Sequence, residues 1–339
     1  MNKVRQKDIA EKTGLSVSTV SRILSGDITR KMKDETVDLV LRTADEMGYY
    51  SFKKQKLQSS IPTVRMISLF VSDHEVMNDF FSGILEGINR EITETKKHMR
   101  IDYEAISIYD VDFKQKLESR NVDVAILLGR VRRDLLEVIR QSVPYIIYAG
   151  LNSIPGFDEV LCDAREGIRE GVSHLYEQGH RRIAYIGPNC LQSEVRNEFR
   201  YMGYLEGLAD KGIPIDEDLT ENTYLSTADG YQAALKLLGR TTPDAIVAAN
   251  DNVAIGVLRA LKEKGFRCPD DIALLGFDNI ETGAYTSPSL STFDVPKQEL
   301  GRFAVKFAID RIENPRDNNI RITLPYVFVE RESTGGKRK

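Results

Sequence analysis

Residues 4–26, VRQKDIAEKTGLSVSTVSRILSG, constrain the fold more than any other stretch of the chain. The spacing predicts two short helices joined by a tight turn. The first covers Arg5–Lys12, with Ile9 and Ala10 on its apolar side. Thr13, Gly14 and Leu15 interrupt the pattern, and Gly14 supplies the positive φ that a sharp turn demands. Ser16 then stands where a hydroxyl can accept hydrogen bonds from the orphan N–H groups of a new helix. That second helix buries Val20 and either Ile23 or Leu24, and shows Val17, Ser18, Thr19, Ser21 and Arg22 on its other side. Ala10 is small enough to let the two helices cross closely. Such a pair is the sequence form of a helix-turn-helix, whose second helix enters the DNA major groove. An ordinary helical hairpin is the competing reading.

A chain of 339 residues is expected to hold more than one domain, and 41% hydrophobic with 29% charged residues is a globular, soluble composition. No apolar run reaches membrane-spanning length and no signal-peptide h-region opens the chain, so no membrane partner is expected. Cys162, Cys190 and Cys268 are odd in number and far apart, which suggests buried thiols in a reducing cytoplasm and no zinc site. The net charge of −4 argues against a nucleic-acid binder until it is divided. Residues 1–56 hold 12 Lys+Arg against 8 Asp+Glu, a net +4, and the remainder holds 35 against 43, a net −8. A basic head on an acidic body confines any phosphate contact to the head.

Past the second helix, Val37, Val40, Leu41, Ala44 and Met47 predict a third helix that closes a small core before Gly48. A polar, basic segment, YYSFKKQKLQSSIP (49–62), follows and reads as a linker. From Val64 onward apolar strand-like runs alternate with helical ones. The strands are read at 66–72, 101–107, 122–128, 144–150, 159–163, 182–187, 223–226, 245–250 and 272–277. The helices are read at 80–97, 165–178, 194–211, 228–238 and 253–264. Val, Ile, Leu and Ala in strands that alternate with helices imply parallel sheets covered on both faces. The length suffices for two doubly wound lobes. A last helix, 297–313, and two strands, IRITLP and YVFVE, follow the second lobe and must pack elsewhere.

DIAEKTGLSVSTVSRIL resembles the N-terminal signature of the LacI/GalR family of bacterial regulators. QGHRRIAYIGP (178–188), VAANDNVAIGVLRAL (247–261) and DIALLGFDN (271–279) extend the resemblance in order along nearly the whole chain. It implies an all-α helix-turn-helix head, residues 1–49, and a hinge, 50–62. It also implies an α/β body, 63–339, of two doubly wound, periplasmic-binding-protein-like lobes. The expected first lobe is about 63–161 plus 293–323, and the second about 162–292 plus 324–335, with three crossings between them. Double-stranded operator DNA, a small sugar and a second copy of the chain are the implied partners. The tail GGKRK lacks heptads, so a dimer is expected.

On the head, Arg22 is the base-reading candidate, since its fork matches a guanine edge, with Val17 on a thymine methyl and Ser18 on either base. Thr19, Ser21 and Lys7 are phosphate-contact candidates. In the hinge the resemblance points to Leu57 as a minor-groove wedge, although Ser51, Phe52 and Lys54 depart from the family pattern there. In the body it points to Arg200 bridging ligand oxygens, Asn250 and Asp251 at a strand end, and Asp278 accepting from hydroxyls. Phe81 and Phe293 are candidate ring faces for a pyranose, or core aromatics. Asp251 is equally a helix N-cap, Asp163 is read as a cap, and Arg200 or Asp278 could serve an ion pair or a turn. No cofactor, metal site or catalytic group is expected: His74, His98, His174 and His180 show no metal spacing, and no GxSxG or P-loop Lys is present. The expected function is repression of a carbohydrate operon, the galactoside repressors being nearest in appearance, with release by the bound sugar. A sugar receptor without DNA function, and a corepressor-type regulator answering to a purine or a phosphoprotein, stay open.

Overall fold

The computed structural model describes residues 4–25, 34–47, 49, 63–71, 79–95, 99–108, 110, 113–119, 121–129, 133–189 and 198–335. The chain divides into a head unit and a body unit.

In the head, helices α1 (Gln6–Thr13), α2 (Val17–Ser25) and α3 (Asp34–Glu46) enclose Ile9, Ala10, Val20, Leu24, Val40 and Ala44. Each boundary has a local cause. The Asp8 carboxylate accepts from the Arg5 N–H at 2.6 Å and opens α1. Gly14, at φ 70°, closes it in the left-handed conformation, and the Leu15 N–H reaches the Ala10 carbonyl at 3.1 Å. Ser16 Oγ accepts from the Thr19 N–H at 3.1 Å and starts α2. Of the two apolar candidates on α2, Leu24 is buried and Ile23 only partly so. The linker and Leu57 lie outside the described residues.

The body holds two parallel sheets. The first is built from β1 (Thr63–Val71), β2 (Arg100–Ser107), β3 (Val124–Gly129), β4 (Tyr145–Gly150), β5 (Asp158–Cys162) and β11 (Arg321–Leu324). Its order is β11-β5-β4-β3-β1-β2, with Met66 opposite Val124 and Arg321 opposite Glu159. The second comprises β6 (Ile183–Ile186), β7 (Thr220–Glu221), β8 (Ala245–Ala248) and β9 (Ala273–Leu275), in the order β7-β6-β8-β9. Strands such as AIVA and IAYI are buried at every position, because helices cover both faces. That is why their sequences run apolar without alternation.

The helices follow the same logic. On the first sheet lie α4 (Asp79–Thr95), α5 (Phe113–Ser119), α6 (Arg133–Ser142) and α11 (Lys297–Glu313). On the second lie α7 (Ala164–Glu177), α8 (Phe199–Asp210), α9 (Thr227–Arg240) and α10 (Asp251–Glu263). Helices α4 and α11 cross nearly backbone to backbone. A Cβ on Gly87 would lie 1.9 Å from the Gln298 carbonyl oxygen, and one on Gly301 2.0 Å from that of Ile84. The chain passes between the sheets after β5, again at β10 (Thr292–Asp294), and a third time between β11 and β12 (Val327–Val329), with β10 and β12 antiparallel. Residues 332–334 then pin themselves to the second sheet, where Ser333 Oγ donates to the Leu274 carbonyl at 2.6 Å.

Three local readings need correction. The strand expected at 223–226 is at Thr220–Glu221 instead; Ser226 caps α9 through the Asp229 N–H at 3.1 Å. Helices α5 and α6, 7 and 10 residues long, are absent from the sequence reading, their apolar patterns being short. The cap of α10 is Asn250, not Asp251: Asn250 Oδ1 accepts from the Val253 N–H at 2.9 Å. Asp163 does cap α7, accepting from Glu166.

Candidate nucleic-acid and effector sites

The head presents its outward side on α2. Val17, Ser18 and Arg22 are exposed, while Val20 is fully buried. Helical periodicity produces this split, since Val20 and Leu24 share the inner face. The Ser16 hydroxyl sits 2.8 Å from those of both Ser18 and Thr19, so three hydroxyls cluster where α2 begins. Thr19 and Ser21 are half-buried, and Lys7 is exposed on α1 with Glu11 at 3.9 Å. Among the described residues of α2 this side is polar apart from Val17. It suits a charged groove whose edges are read by hydrogen bonds.

The body's site forms where the strands of the second sheet end. Beyond β8 come Ala249, Asn250 and Asp251; beyond β9 comes Asp278; and α8 begins with Glu198 as N-cap and Arg200 in its first turn. Arg200 is 3% exposed. Its Nε donates to Glu198 Oε1 at 2.9 Å and its Nη1 to the Ala249 carbonyl at 2.9 Å, which leaves Nη2 without a bond to any described residue. Burial works against the guanidinium charge, but Glu198, Tyr185 and Asp278 together outweigh it and hold the pKa above the usual value. Glu198, itself fully buried, reaches Asn152 Nδ2 at 3.4 Å, and Asn152 Oδ1 accepts from the Phe199 N–H at 3.0 Å. Asn152 follows β4 of the first sheet, so these bonds run between the two lobes.

Asp278 has a different environment. Its backbone sits at φ 109° and that of Asn279 at φ 50°, conformations that side-chain-bearing residues seldom take. A bridge to Asp294, with the Asp278 N–H on the Phe293 carbonyl at 3.0 Å, holds the strain. Asp278 is 3% exposed and its Oδ1 has no hydrogen-bond partner among the described residues. Such a buried acceptor is costly unless something else supplies a donor. Lys297, at the start of α11, donates to the Asp278 carbonyl. Lys297 also lies against Gly83 of α4, which brings the first turn of that helix, with Phe80 and Phe81, toward the same region.

Asp251 is engaged on both oxygens, by Thr292 Oγ1 at 2.7 Å and by the Ile280 N–H at 2.9 Å. It ties the end of β8 to the crossing strand β10. Burial raises its pKa to about 8, aided by the neighbouring Asp278 carboxylate. Burial likewise raises Asp278 to about 7, against the pull of Arg200 and Lys297. Two desolvated carboxylates next to one committed guanidinium favour hydroxyl donors as occupants.

The sequence-predicted residues therefore divide. Arg200 and Asp278 converge, and both keep polar capacity unspent. Asn250 spends its side chain on the α10 cap and on the Leu225 carbonyl at 3.2 Å. Phe81 is buried in α4, edge-on to Phe80 with centroids 5.4 Å apart. Phe293 is fully buried between Phe277, Tyr326 and Phe328, at 5.4, 5.3 and 5.0 Å, and offers no open ring face here; it is the core aromatic that the sequence left as its alternative. Sequence reasoning missed Glu198, Asn152, Thr292 and Lys297. A Glu two residues before an Arg across a helix start was the available signal for the first.

Among the described residues no group of His, Cys, Asp and Glu could hold a metal ion, and no helix is long and apolar enough to cross a membrane. Comparison with known proteins places both units. Residues 6–51 match the family of bacterial regulatory proteins, lacI family, and residues 172–334 match the periplasmic binding protein-like domain. The HTH-type transcriptional repressor MelR of Bacillus subtilis (strain 168) is 30% identical over 348 residues, covering 98% of each chain. A solved complex of the transcriptional regulator CelR with cellobiose superimposes with a TM-score of 0.70 at 26% identity, over 97% of this chain and 99% of that one. A LacI family transcriptional regulator from Enterococcus faecium with bound ribose gives 0.68 at 28%, over 80% and 100%. With its exposed second helix, its paired parallel sheets and this end-to-end similarity, the chain belongs to the LacI family of DNA-binding transcriptional regulators.

Proposed function

We propose that the protein represses a carbohydrate-utilisation operon and leaves its operator when a small sugar binds at the ends of the second-sheet strands. The observation that carries this reading is that Arg200 and Asp278 are both buried and act on each other electrostatically, with Asp278 Oδ1 lacking a donor among the described residues. A hydroxyl bridging Arg200 Nη2 and Asp278 would satisfy both. Sugars bound in the CelR and E. faecium structures support the same ligand class. On the head, Val17, Ser18 and Arg22 read bases while Thr19, Ser21 and Lys7 grip phosphates, with Leu57 as the hinge wedge. Asn250, Asp251, Phe81 and Phe293 support the pocket around Arg200 and Asp278.

The protein acts as a homodimer on a pseudo-palindromic site. Ligand must bind the two lobe arrangements unequally in order to shift the head. A galactose-containing sugar is the first to try. Operator binding by the full chain, with and without mono- and disaccharides, is the test. Release by at least one sugar is expected, and deletion of residues 1–62 should abolish DNA binding; retained affinity after the deletion would refute the reading.

A further inference from the structure

The Glu198–Arg200 pair has a consequence for which molecules the pocket admits. Arg200 is the cation whose fork would hold a ligand, yet a fully buried carboxylate already sits 2.9 Å from its Nε. Lys297, a second basic side chain at this end of the sheet, is 3.8 Å from Asp294 and donates to the Asp278 backbone, while Arg331 is held by Asn279 Oδ1 and the Leu290 carbonyl. Asp278 and Asp251 are then left over as buried carboxyls, and Asp163 lies close enough to the end of β5 to act on Cys162 together with Asp278 and Asp294. Among the described residues Arg200 and Lys297 each already have an acidic partner, and Asp251 and Asp278 are two further buried acids beside them. A phosphate monoester would bring about −1.5 to −2 more charge into this low-dielectric space. A polyol brings donors, which Asp278 Oδ1 lacks, and no charge.

We infer that Glu198 is a specificity-determining residue: it occupies one edge and the charge of Arg200, so the pocket takes uncharged sugars and rejects their phosphate esters. Nη2 is left to meet a hydroxyl, and the Nε edge that would complete a bidentate phosphate clamp is taken. Asn152 holds the second Glu198 oxygen from the other lobe and so keeps the carboxylate turned to Arg200. The inference rests on the proposal that this pocket binds a sugar effector.

Calorimetric titration of the full chain tests it. The probes are galactose, ribose and glucose beside galactose 6-phosphate, ribose 5-phosphate and glucose 6-phosphate, with lactose and cellobiose added. The native protein should bind at least one neutral sugar and should bind the matching phosphate at least about tenfold more weakly. Glu198→Gln, which frees the guanidinium charge, should lose neutral-sugar affinity and narrow or invert that ratio. A native protein that binds a phosphate ester as tightly as its parent overturns the inference, and so does a folded Glu198→Gln with an unchanged ratio. If the variant fails to fold, the native ratio decides alone. Binding of no sugar of either class sinks the effector reading and this inference with it, whereas neutral and phosphorylated sugars bound alike sink the inference only.

Discussion

The head and the body place their working side chains in opposite settings. In the head, the core of Ile9, Ala10, Val20, Leu24, Val40 and Ala44 is separate from the outward side of α2, where Val17, Ser18 and Arg22 are exposed. In the body, the ionisable side chains of Arg200, Asp251 and Asp278 are buried, and Asp251 and Arg200 help to fasten the strand ends. A polyanion of fixed shape can be met by residues added to the outside of a stable fold. A small polar molecule that must be enclosed needs partners desolvated in advance, and those partners become part of the framework. Function and stability should therefore separate under mutation in the head and fail together in the body.

The largest expected effect is in the body. Arg200→Ala leaves Glu198 buried without its cation and should cost about 3–5 kcal/mol, seen as a clear fall in the thermal midpoint together with loss of sugar response. An unchanged midpoint would break the contrast at its strongest point. Next comes acidity. Asp251 and Asp278 titrate at about 8 and about 7 in the folded body, against about 3.9 when unfolded. Between those limits the folded chain holds more protons than the unfolded one, so stability falls as pH rises. Between pH 5 and 7 the slope for one such carboxyl is about 1.4 kcal/mol per unit. Urea unfolding at both pH values should show Asp251→Asn losing less than the native chain over this interval; an equal loss would mean that Asp251 ionises normally.

The head should show the converse. Arg22→Ala should weaken operator binding by about 1–3 kcal/mol with the melting profile untouched. Equal weakening on random duplex would move Arg22 from the base-reading set to the phosphate set. Smallest of all, Ser16→Ala removes the α2 cap and should cost about 1 kcal/mol of local stability. Faster amide exchange across Val17–Ser25, with none in the body, is the result that would confine the effect to the head.

How much was legible follows from where the information sits. The head could be read because Gly14, Ser16 and the apolar spacing act within a few residues of one another. The sheets could be read because strands buried on both faces run apolar, as in VAILLG and AIVA. The edge strand β7 could not: it carries Glu221, which is buried and neutralised by Lys236 and Arg240, while the more strand-like TYLS places Tyr224 in solvent. Arg200 and Asp278 were reached through family resemblance. Glu198, Asn152 and Lys297 were not, because their meaning arises from tertiary contacts: Asn152 meets Glu198 across 46 positions of sequence. The cap at Asn250 was misassigned by a single residue, since Asn and Asp are adjacent there and both are good caps.

The close crossing of α4 with α11, and the edge pairing of β11 with β5, also bear on how the protein is made. The sheet that begins first along the chain waits for residues 297–324 to be covered and completed, whereas the second sheet is closed within residues 183–275. At about 5–20 residues per second of synthesis, the earlier lobe stays half-clothed on the ribosome for on the order of tens of seconds, with the Gly87 groove of α4 bare, while the strands of the second sheet have all been made. The sheet that is started first is thus finished after the other, and that interval is when a chaperone has most to hold.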